Sequence, residues 1–554
     1  MEAIIPQSAR LSEKCPITLL PHQKEHVRKV WHHLVKDKQF SYINTSHTGL
    51  GKTHDTLCIA WHLQKLYGTK VMIIAPSDTS LTNEDGWIHH AKEYGVELVD
   101  SMPYSTLRGA RGKVSHKWLS VDPEDKKKWT ATSAFEQLCA NGLFLIFDEF
   151  HKTKNLSMSH FASAALVKMA KKYPGSCRVA LLSHTPASEV DSYPQLLRMA
   201  GIITNIRLFK HVPFTHEYKW EEYGLGELAN FCIFLSNKNE RNNIIQIIGR
   251  LMEKVCKARA NGICKELYDT YIRKHITFAM PVPEVSAEVT LQNAFFGADE
   301  ESVSLLRKGL ELLKEAVNWR NGEVDVTAPN LGQITTSLRL LERGKLGIIA
   351  KYVNQEVSKN PNKKFVICCG SYCLDHQTVL AKMIHRSDNY DTIIDELKKE
   401  NPNWQKLPKD IINIIKEKTK YNSYPVILNG ETKKRDRVKI LSDFQSNNKE
   451  VWCLIISPSI GSESISLHDR FGDHPRDMLI VPTYYWTQMV QASGRIVRAG
   501  RRSPAKVMMV YSKQIGLETK ILDALARKSQ IGRELIAEGQ KVMYPGDFPT
   551  FTEQ

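Results

Sequence analysis

No run of apolar residues in this sequence approaches the roughly 18 needed for a helix to cross a bilayer, so no membrane partner is expected. The opening MEAIIPQSARLSEK lacks the basic-then-apolar plan of a secretory signal. The 11 cysteines fall without zinc-site spacing, and the densest group, Cys368, Cys369 and Cys373, straddles an apolar run read as a buried strand. The expected setting is therefore reducing and intracellular (nucleus, cytoplasm, viral factory or virion) and not secreted. Low-complexity tracts are missing too, and no long basic block accounts for the net charge of +16. The excess is spread out, as along a cleft that follows a phosphate backbone. It supports a polyanionic partner without identifying one.

What is present is ordinary in bulk: 554 residues, 42% hydrophobic and 25% charged, too long for one core and suited to several globular domains. The informative part is local. SHTGLGKT, Ser46 to Thr53, ends an apolar run and precedes a helical pattern. A loop that cradles phosphates needs converging backbone N–H groups, and Gly49 and Gly51 let the chain bend tightly enough to supply them. Lys52 then supplies an ammonium for the β/γ-phosphates and Thr53 a hydroxyl for Mg²⁺. His47, Thr48 and Leu50 complete the loop, and Ser46 occupies the usual position of its first glycine.

Its partner is FLIFDEFHKTKN, Phe144 to Asn155. Leu143 to Phe147 are all apolar, the pattern of a strand buried on both faces of a parallel sheet. Asp148 and Glu149 follow where that strand runs out, at the end where open α/β sheets bind ligands. Asp148 is expected to hold Mg²⁺, directly or through water, and Glu149 to act as base for the attacking water.

Two readings of Gln23 stand: an amide that reads adenine through a donor and an acceptor, or a surface residue opening an amphipathic helix with Val27, Val30, Trp31 and Leu34 on one face. VMIIAP (Val71–Pro76) reads as a second buried strand, ending at Ser77, a position suited to nucleic-acid backbone contacts. SMPYSTLRG repeats that plan with Ser105 and Thr106, while CRVALLSHTPAS is another strand running into small hydroxyl residues, where Ser183 and Thr185 would connect the nucleotide site to the second lobe. Residues 110 to 135 read as a surface insertion. The stretch from about 206 to 285 reads as an appended helical subdomain, with IIQIIGRLMEKVCKARA its clearest amphipathic segment. A second α/β lobe follows, with strands FVICCG, PVILNG, VWCLIIS and MLIVPT but no phosphate loop of its own, interrupted by a surface insertion at 386–422. It ends in QASGRIVRAGRR, where Arg495 and Arg498, three apart, project from one face if the segment is helical. Two guanidiniums so placed suit the charge of a phosphoryl-transfer transition state.

With these elements in order, the chain resembles the superfamily-two helicases and translocases over roughly residues 15 to 515, and within them the Snf2-like branch. TGLGKT matches that family's phosphate loop. DEFHKTKN looks like the Snf2 Asp-Glu-x-His box, and LLSHTP resembles its Leu-Thr-Gly-Thr-Pro segment with His184 replacing the glycine. LNGETKKRDRVKILSDFQ is close to the Gly-x-Thr segment, and QASGRIVRAGR matches Gln-x-x-Gly-Arg-x-x-Arg, with Gln491 at its head. SIGSESISLHD departs from the pattern, with Ser464 and Ser466 where the family favours Gly and Asn. Viral nucleoside triphosphatases of the branch are similarly compact.

The resemblance implies an α/β fold of two RecA-like parallel-sheet lobes with an inserted helical subdomain. The expected partition is 1–205, 206–335, 336–515 and a helical tail at 516–554. It implies ATP and Mg²⁺ as cofactors and an ATP site that includes Gln23 and Gln491. Nucleic acid, with DNA favoured over RNA, would cross a face holding Ser77, Thr106 and Ser462. The implied activity is ATP-driven translocation on duplex DNA. The alternatives are a strand-separating DNA or RNA helicase and a scaffold that kept the fold and lost hydrolysis. No protein partner is indicated.

Overall fold

A computed structural model describes residues 15–552, apart from 385–424 and 514–547, the shorter stretches 110–116, 154–155, 187–189, 212–217, 282–287, 321–322, 326–330, 447–450, 459–464 and 484–485, and the single positions 84, 126, 185, 254, 317, 372 and 499. The chain divides into two compact units, the first running to residue 283 and the second beginning at 284.

The main-sheet strands of the first unit are β1 (Ser41–Asn44), β2 (Lys70–Ala75), β3 (Leu98–Pro103), β4 (Leu143–Asp148), β5 (Arg178–Leu182) and β6 (Thr277–Phe278). They form one sheet in the order β6-β1-β5-β4-β2-β3, and every pairing is parallel. Successive strand side chains point to opposite faces, and here both faces are covered. Tyr42, Val71, Ile73, Phe144 and Ile146 enter one apolar cluster, while Ile43, Met72, Ile74, Leu145 and Phe147 enter another. The unbroken apolar run at 143–147 is thus the signature of a central strand, as its sequence indicates.

Helices of this unit include α1 (Pro21–Trp31), α2 (Lys52–Tyr67), α3 (Trp87–Tyr94), α4 (Met158–Ala170), α5 (Gly224–Leu235), α6 (Lys238–Gly249), α7 (Lys257–Leu267) and α8 (Arg273–Ile276). α1 lays Val27 and Val30 into the same cluster as Leu57 and Leu63 of α2. Gly68, at φ 66°, closes α2 in the left-handed conformation that glycine adopts freely.

Three expectations are corrected. The helical stretch after 206 is not an appendage: Leu225, Leu228, Ile244, Ile263 and Leu267 share a core cluster with Leu145 and Leu181, and the chain returns as β6 to pair with β1. IIQIIGRLMEKVCKARA is not one helix, since α6 stops at Gly249, a 3₁₀ turn covers Arg250–Glu253, and α7 starts after an extended Cys256. The 110–135 stretch is not wholly superficial, because Trp118 and Leu119 are buried in the first unit's core.

The second unit's main-sheet strands are β7 (Val289–Phe296), β8 (Lys364–Cys368), β9 (Val426–Leu428), β10 (Cys453–Ile456), β11 (Arg476–Ile480), β12 (Ala505–Ser512) and β13 (Thr550–Thr552). They too form one wholly parallel sheet, in the order β9-β10-β8-β11-β12-β7-β13. Because β7 belongs to this sheet, the unit begins well before the expected 336, and the expected helical tail ends as the edge strand β13. Phe365, Ile367, Ile455, Leu479 and Val510 form its core with Ile349 and Val353 of the helix Leu346–Lys359. The last labelled helix, α9 (Trp486–Ser493), carries Gln491. The 386–422 insertion lies outside the described residues.

Candidate active site

β1 delivers the chain to the phosphate-loop sequence, and α2 begins immediately after it at Lys52. Gly49 and Gly51 have φ of 89° and 86°, a conformation that costs an L-residue about 1–2 kcal/mol. At Gly51 there is a second reason for glycine: a Cβ there would stand 2.2 Å from Gln23 Nε2. Gln23 itself is buried against the loop. Its Nε2 donates to the Leu50 carbonyl at 3.0 Å and its Oε1 accepts from the Leu20 amide at 2.9 Å. His22 Nε2 lies 3.3 Å from the same Leu50 oxygen.

Ser46 is bonded on both sides. Its amide and hydroxyl reach Asn44 Oδ1 at 3.0 and 2.5 Å, and its Oγ accepts from the Met280 amide at 2.8 Å. Asn44 Nδ2 in turn donates to Asp55 Oδ2 at 3.0 Å, and that oxygen is 2.6 Å from His26 Nδ1 with both side chains fully buried. A polar column therefore runs from α1 through α2 to the loop, with Met280, two residues past β6, gripping its top. Asn44, Asp55, His26 and Met280 carried no motif and were missed by sequence reasoning. A run of polar residues, Asn44 to Ser46, closing an otherwise apolar strand was the available signal.

Lys52 Nζ donates to the Ser46 carbonyl at 2.9 Å. Its charge also acts on Asp148, at the end of β4, although β5 separates β4 from β1 in the sheet. Asp148 is buried, and Oδ2 accepts from Trp87 Nε1 at 2.9 Å while the Tyr104 hydroxyl donates to its backbone carbonyl at 3.1 Å. Loss of solvation, then the neighbouring Glu149 charge, push the Asp148 carboxyl up to about 6, against the opposing pull of Trp87 and Lys52.

Glu149 has φ 47°, a left-handed backbone on a bulky residue, and its side chain is buried. Its Oε2 is 3.1 Å from His151 Nδ1, which also lies 3.0 Å from Ser183 Oγ beyond β5. The ends of β4 and β5 are thereby joined through an imidazole. His184, where the resemblance would put a glycine, is fully buried and faces the His47 ring at 4.6 Å between centroids. Burial, then the nearby His47 and Lys52 charges, hold it well below the usual imidazole range, so it stays neutral beside the loop lysine.

The donor set fits MgATP. The N-terminus of α2 presents N–H groups of the kind that bind phosphate, and Thr53 and Asp148 offer the hard oxygen ligands that Mg²⁺ takes.

Ser77 and Thr106 follow β2 and β3, neighbours whose ends are in register at Ala75 and Pro103. The fold therefore brings them to one end of the sheet. Ser77 caps a short helix by exchanging hydrogen bonds with Ser80, whereas Thr106 is exposed. Ser462, Thr185, Lys154 and Asn155 lie outside the described residues.

In the second unit, α9 ends at Ser493, so Arg495 and Arg498 stand in the turn beyond it and not on a helix face. Gln491 and Arg495 are buried, and the Arg495 carbonyl accepts from the Leu467 amide at 3.0 Å. Arg498 donates to Ser466 Oγ at 2.5 Å, to the Ile465 carbonyl at 2.9 Å and to the Gly494 carbonyl at 3.3 Å.

No family model matches the chain. It is 23% identical over 524 residues to "Putative ATP-dependent RNA helicase L364" of Acanthamoeba polyphaga mimivirus, across 94% of this chain and 83% of that protein. Among solved structures, the SWI2/SNF2 ATPase core of Sulfolobus solfataricus in complex with dsDNA is 15% identical, at TM-score 0.30, over 95% of this chain and 94% of that one. Mss116p bound to ssRNA and AMP-PNP is 10% identical, at TM-score 0.42, over 97% of this chain and 74% of that one. The chain is thus similar along nearly its whole length to a viral protein named as a putative ATP-dependent RNA helicase, and each of its two units is built on a wholly parallel main sheet.

Proposed function

We propose that the chain is an ATP-driven nucleic-acid motor of the Snf2-like type that translocates on duplex DNA inside the cell or a viral factory. The observation that carries the ATPase part is the grouping of Lys52, Asp148 and Glu149 at one end of one sheet, with the Lys52 charge felt at Asp148. Lys52 and the start of α2 bind the phosphates, and Gln23 sets the loop against α1. Glu149 takes the proton of the attacking water, and His151 and Ser183 orient its carboxylate. Thr53 and Asp148 would hold Mg²⁺, which would supply positive charge against the phosphates. Arg495 and Arg498 supply positive charge to the transition state, and Gln491 lies in the same motif. Ser77, Thr106 and Ser462 contact the phosphate backbone of the track.

The Asp-Glu-x-His box favours duplex DNA. The name of the mimiviral relative favours a second reading, an RNA track with strand separation. Steady-state ATPase measured alone and with duplex DNA, single-stranded DNA and RNA separates them. Stimulation by duplex DNA alone is the expected result. Stimulation confined to RNA would establish the second reading, and no hydrolysis under any condition would leave a nucleic-acid-binding scaffold.

A further inference from the structure

The C-terminal ends of α1 and α8 face one cavity of about 640 Å³ in the first unit, a size typical of small-ligand sites. From the α1 side come Arg28, Lys29, His32 and His33, and from α8 come Lys274 and His275. Basic residues in a last helical turn are ordinary, because they offset the helix dipole. Two such ends aimed into one space are not ordinary, since each adds to the repulsion felt by the other. Desolvation is the main cause lowering both His33 and His275; His275 and His32 add a smaller push on His33 against its Ser41 bond and Asp37, and Lys274 adds one on His275 against Glu240.

Three acids stand beside these groups, and one of them, Asp37, itself lines the cavity. Glu25 pairs with Lys29 at 2.7 Å, Asp37 with His32 at 3.2 Å and Glu240 with Lys274 at 4.0 Å, all on substantially exposed side chains where such pairs contribute little. No side-chain partner is formed for Arg28 or His275 among the described residues. The cavity also has a ring-bearing wall. Phe278 packs 4.9 Å from the His33 ring, which is held by donation from Nε2 to the Ser41 carbonyl at 2.8 Å, and Leu235 adds apolar surface. Cations for a phosphate beside a flat apolar face for a base is the chemistry of a nucleotide site.

We propose that this cavity is a second binding site, separate from the phosphate loop, for a phosphate-bearing nucleotide, either free or as one residue of a nucleic-acid strand. Its occupancy reaches the first site through β6. Phe278, in the cavity wall, accepts through its carbonyl from the Thr45 amide at 2.8 Å, and Met280, two residues on, donates to Ser46 Oγ. A ligand that fixes Phe278 therefore fixes the strand that grips the loop.

The test uses full-length Lys52→Ala protein, with and without Arg28→Gln and His275→Gln, titrated by calorimetry with AMP and separately with a ten-residue oligothymidylate. The expected result is AMP or oligonucleotide binding in Lys52→Ala protein that weakens at least tenfold with the two added changes, at unaltered melting temperature. Loss of AMP binding identifies a free-nucleotide site, and loss of oligonucleotide binding alone identifies a strand contact. Equal affinities of the two proteins for both probes overturn the proposal, as does the absence of binding by either. Because ATP turnover is not read, failure here is distinct from failure of the motor assignment. Should the added changes lower the melting temperature, photocrosslinking of 8-azido-AMP to Lys52→Ala protein decides, with labelling of the 271–280 peptide expected and labelling elsewhere only counting against the site.

Discussion

The Arg498 guanidinium donates from Nη1 to the Ser466 hydroxyl, 2.5 Å away, so one of the two residues that depart from the pattern in this segment helps to hold the proposed transition-state arginine. A hydrogen bond from a charged donor contributes about 1.5–3 kcal/mol. Ser466→Ala is expected to lower kcat about tenfold by loosening Arg498, with KM for ATP little changed. Arg498→Ala should lose roughly 10³-fold while nucleotide affinity persists. Wild-type turnover in Ser466→Ala would show that the Ile465 and Gly494 carbonyls suffice to hold the guanidinium.

Glu149 combines a left-handed backbone with a buried carboxylate, a costly arrangement retained next to the proposed reaction centre. Glu149→Gly is expected to raise stability to chemical denaturation by about 1 kcal/mol, through relief of the positive φ, and to abolish turnover. Glu149→Gln keeps the strain and should bind ATP without releasing phosphate. Phosphate release by Glu149→Gln at the wild-type rate would remove the base assignment.

The Ser46 hydroxyl serves both Asn44 and the Met280 amide inside a buried region. Ser46→Ala leaves those partners unsatisfied, which costs about 1–3 kcal/mol, and urea unfolding should report the loss. Ser46→Gly restores the common form of the motif yet should be at least as destabilising, because it also lacks the hydroxyl. A Ser46→Gly protein as stable as wild type would mean that the clamp is not used.

His160, on α4, is fully buried and donates from Nδ1 to the Thr153 carbonyl at 3.0 Å. Burial, with Arg198 next in effect, lowers it from 6.5 to about 4. Between those values the unfolded chain takes up a proton that the folded chain refuses, so stability falls as pH drops through 6.5 and continues to fall toward about 4. The full effect of this one group is of the order of 3 kcal/mol. His160→Gln should flatten that part of the stability–pH profile, and an unchanged slope would count against a neutral buried imidazole.

Legibility in the sequence followed burial. Strands covered on both faces carry continuous apolar runs, such as residues 143–147 and 365–368, and were readable with their flanking motifs. β6 and β13 were not: two or three edge residues carry no periodicity, and their place is set by partners far away in sequence. The loop between β1 and α2, and the placing of Asp148 and Glu149 where β4 ends, were legible because such motifs keep fixed spacing. The supporting groups Asn44, Asp55, Trp87 and Met280 were not, since any residue able to donate or accept at the right point in space could take their place. The turn at Arg495 was misread as helix because three-residue spacing cannot tell a helix from the loop that follows one.

β6 also sets the order in which the chain can be completed. Until Thr277 and Phe278 have been synthesised, β1 has a partner on one side only, and the strand leading to the phosphate loop is an open edge. A fragment ending near residue 205 would expose that edge and the apolar surface meant for α5 to α7, and would be prone to strand addition from other copies. In the second sheet β7 waits in the same way for β12 and for β13, at residues 550–552. A nascent chain thus carries two unfinished sheets in succession, each closed by a segment made late, and holding exposed edges apart during synthesis is a task the sequence leaves to the cell.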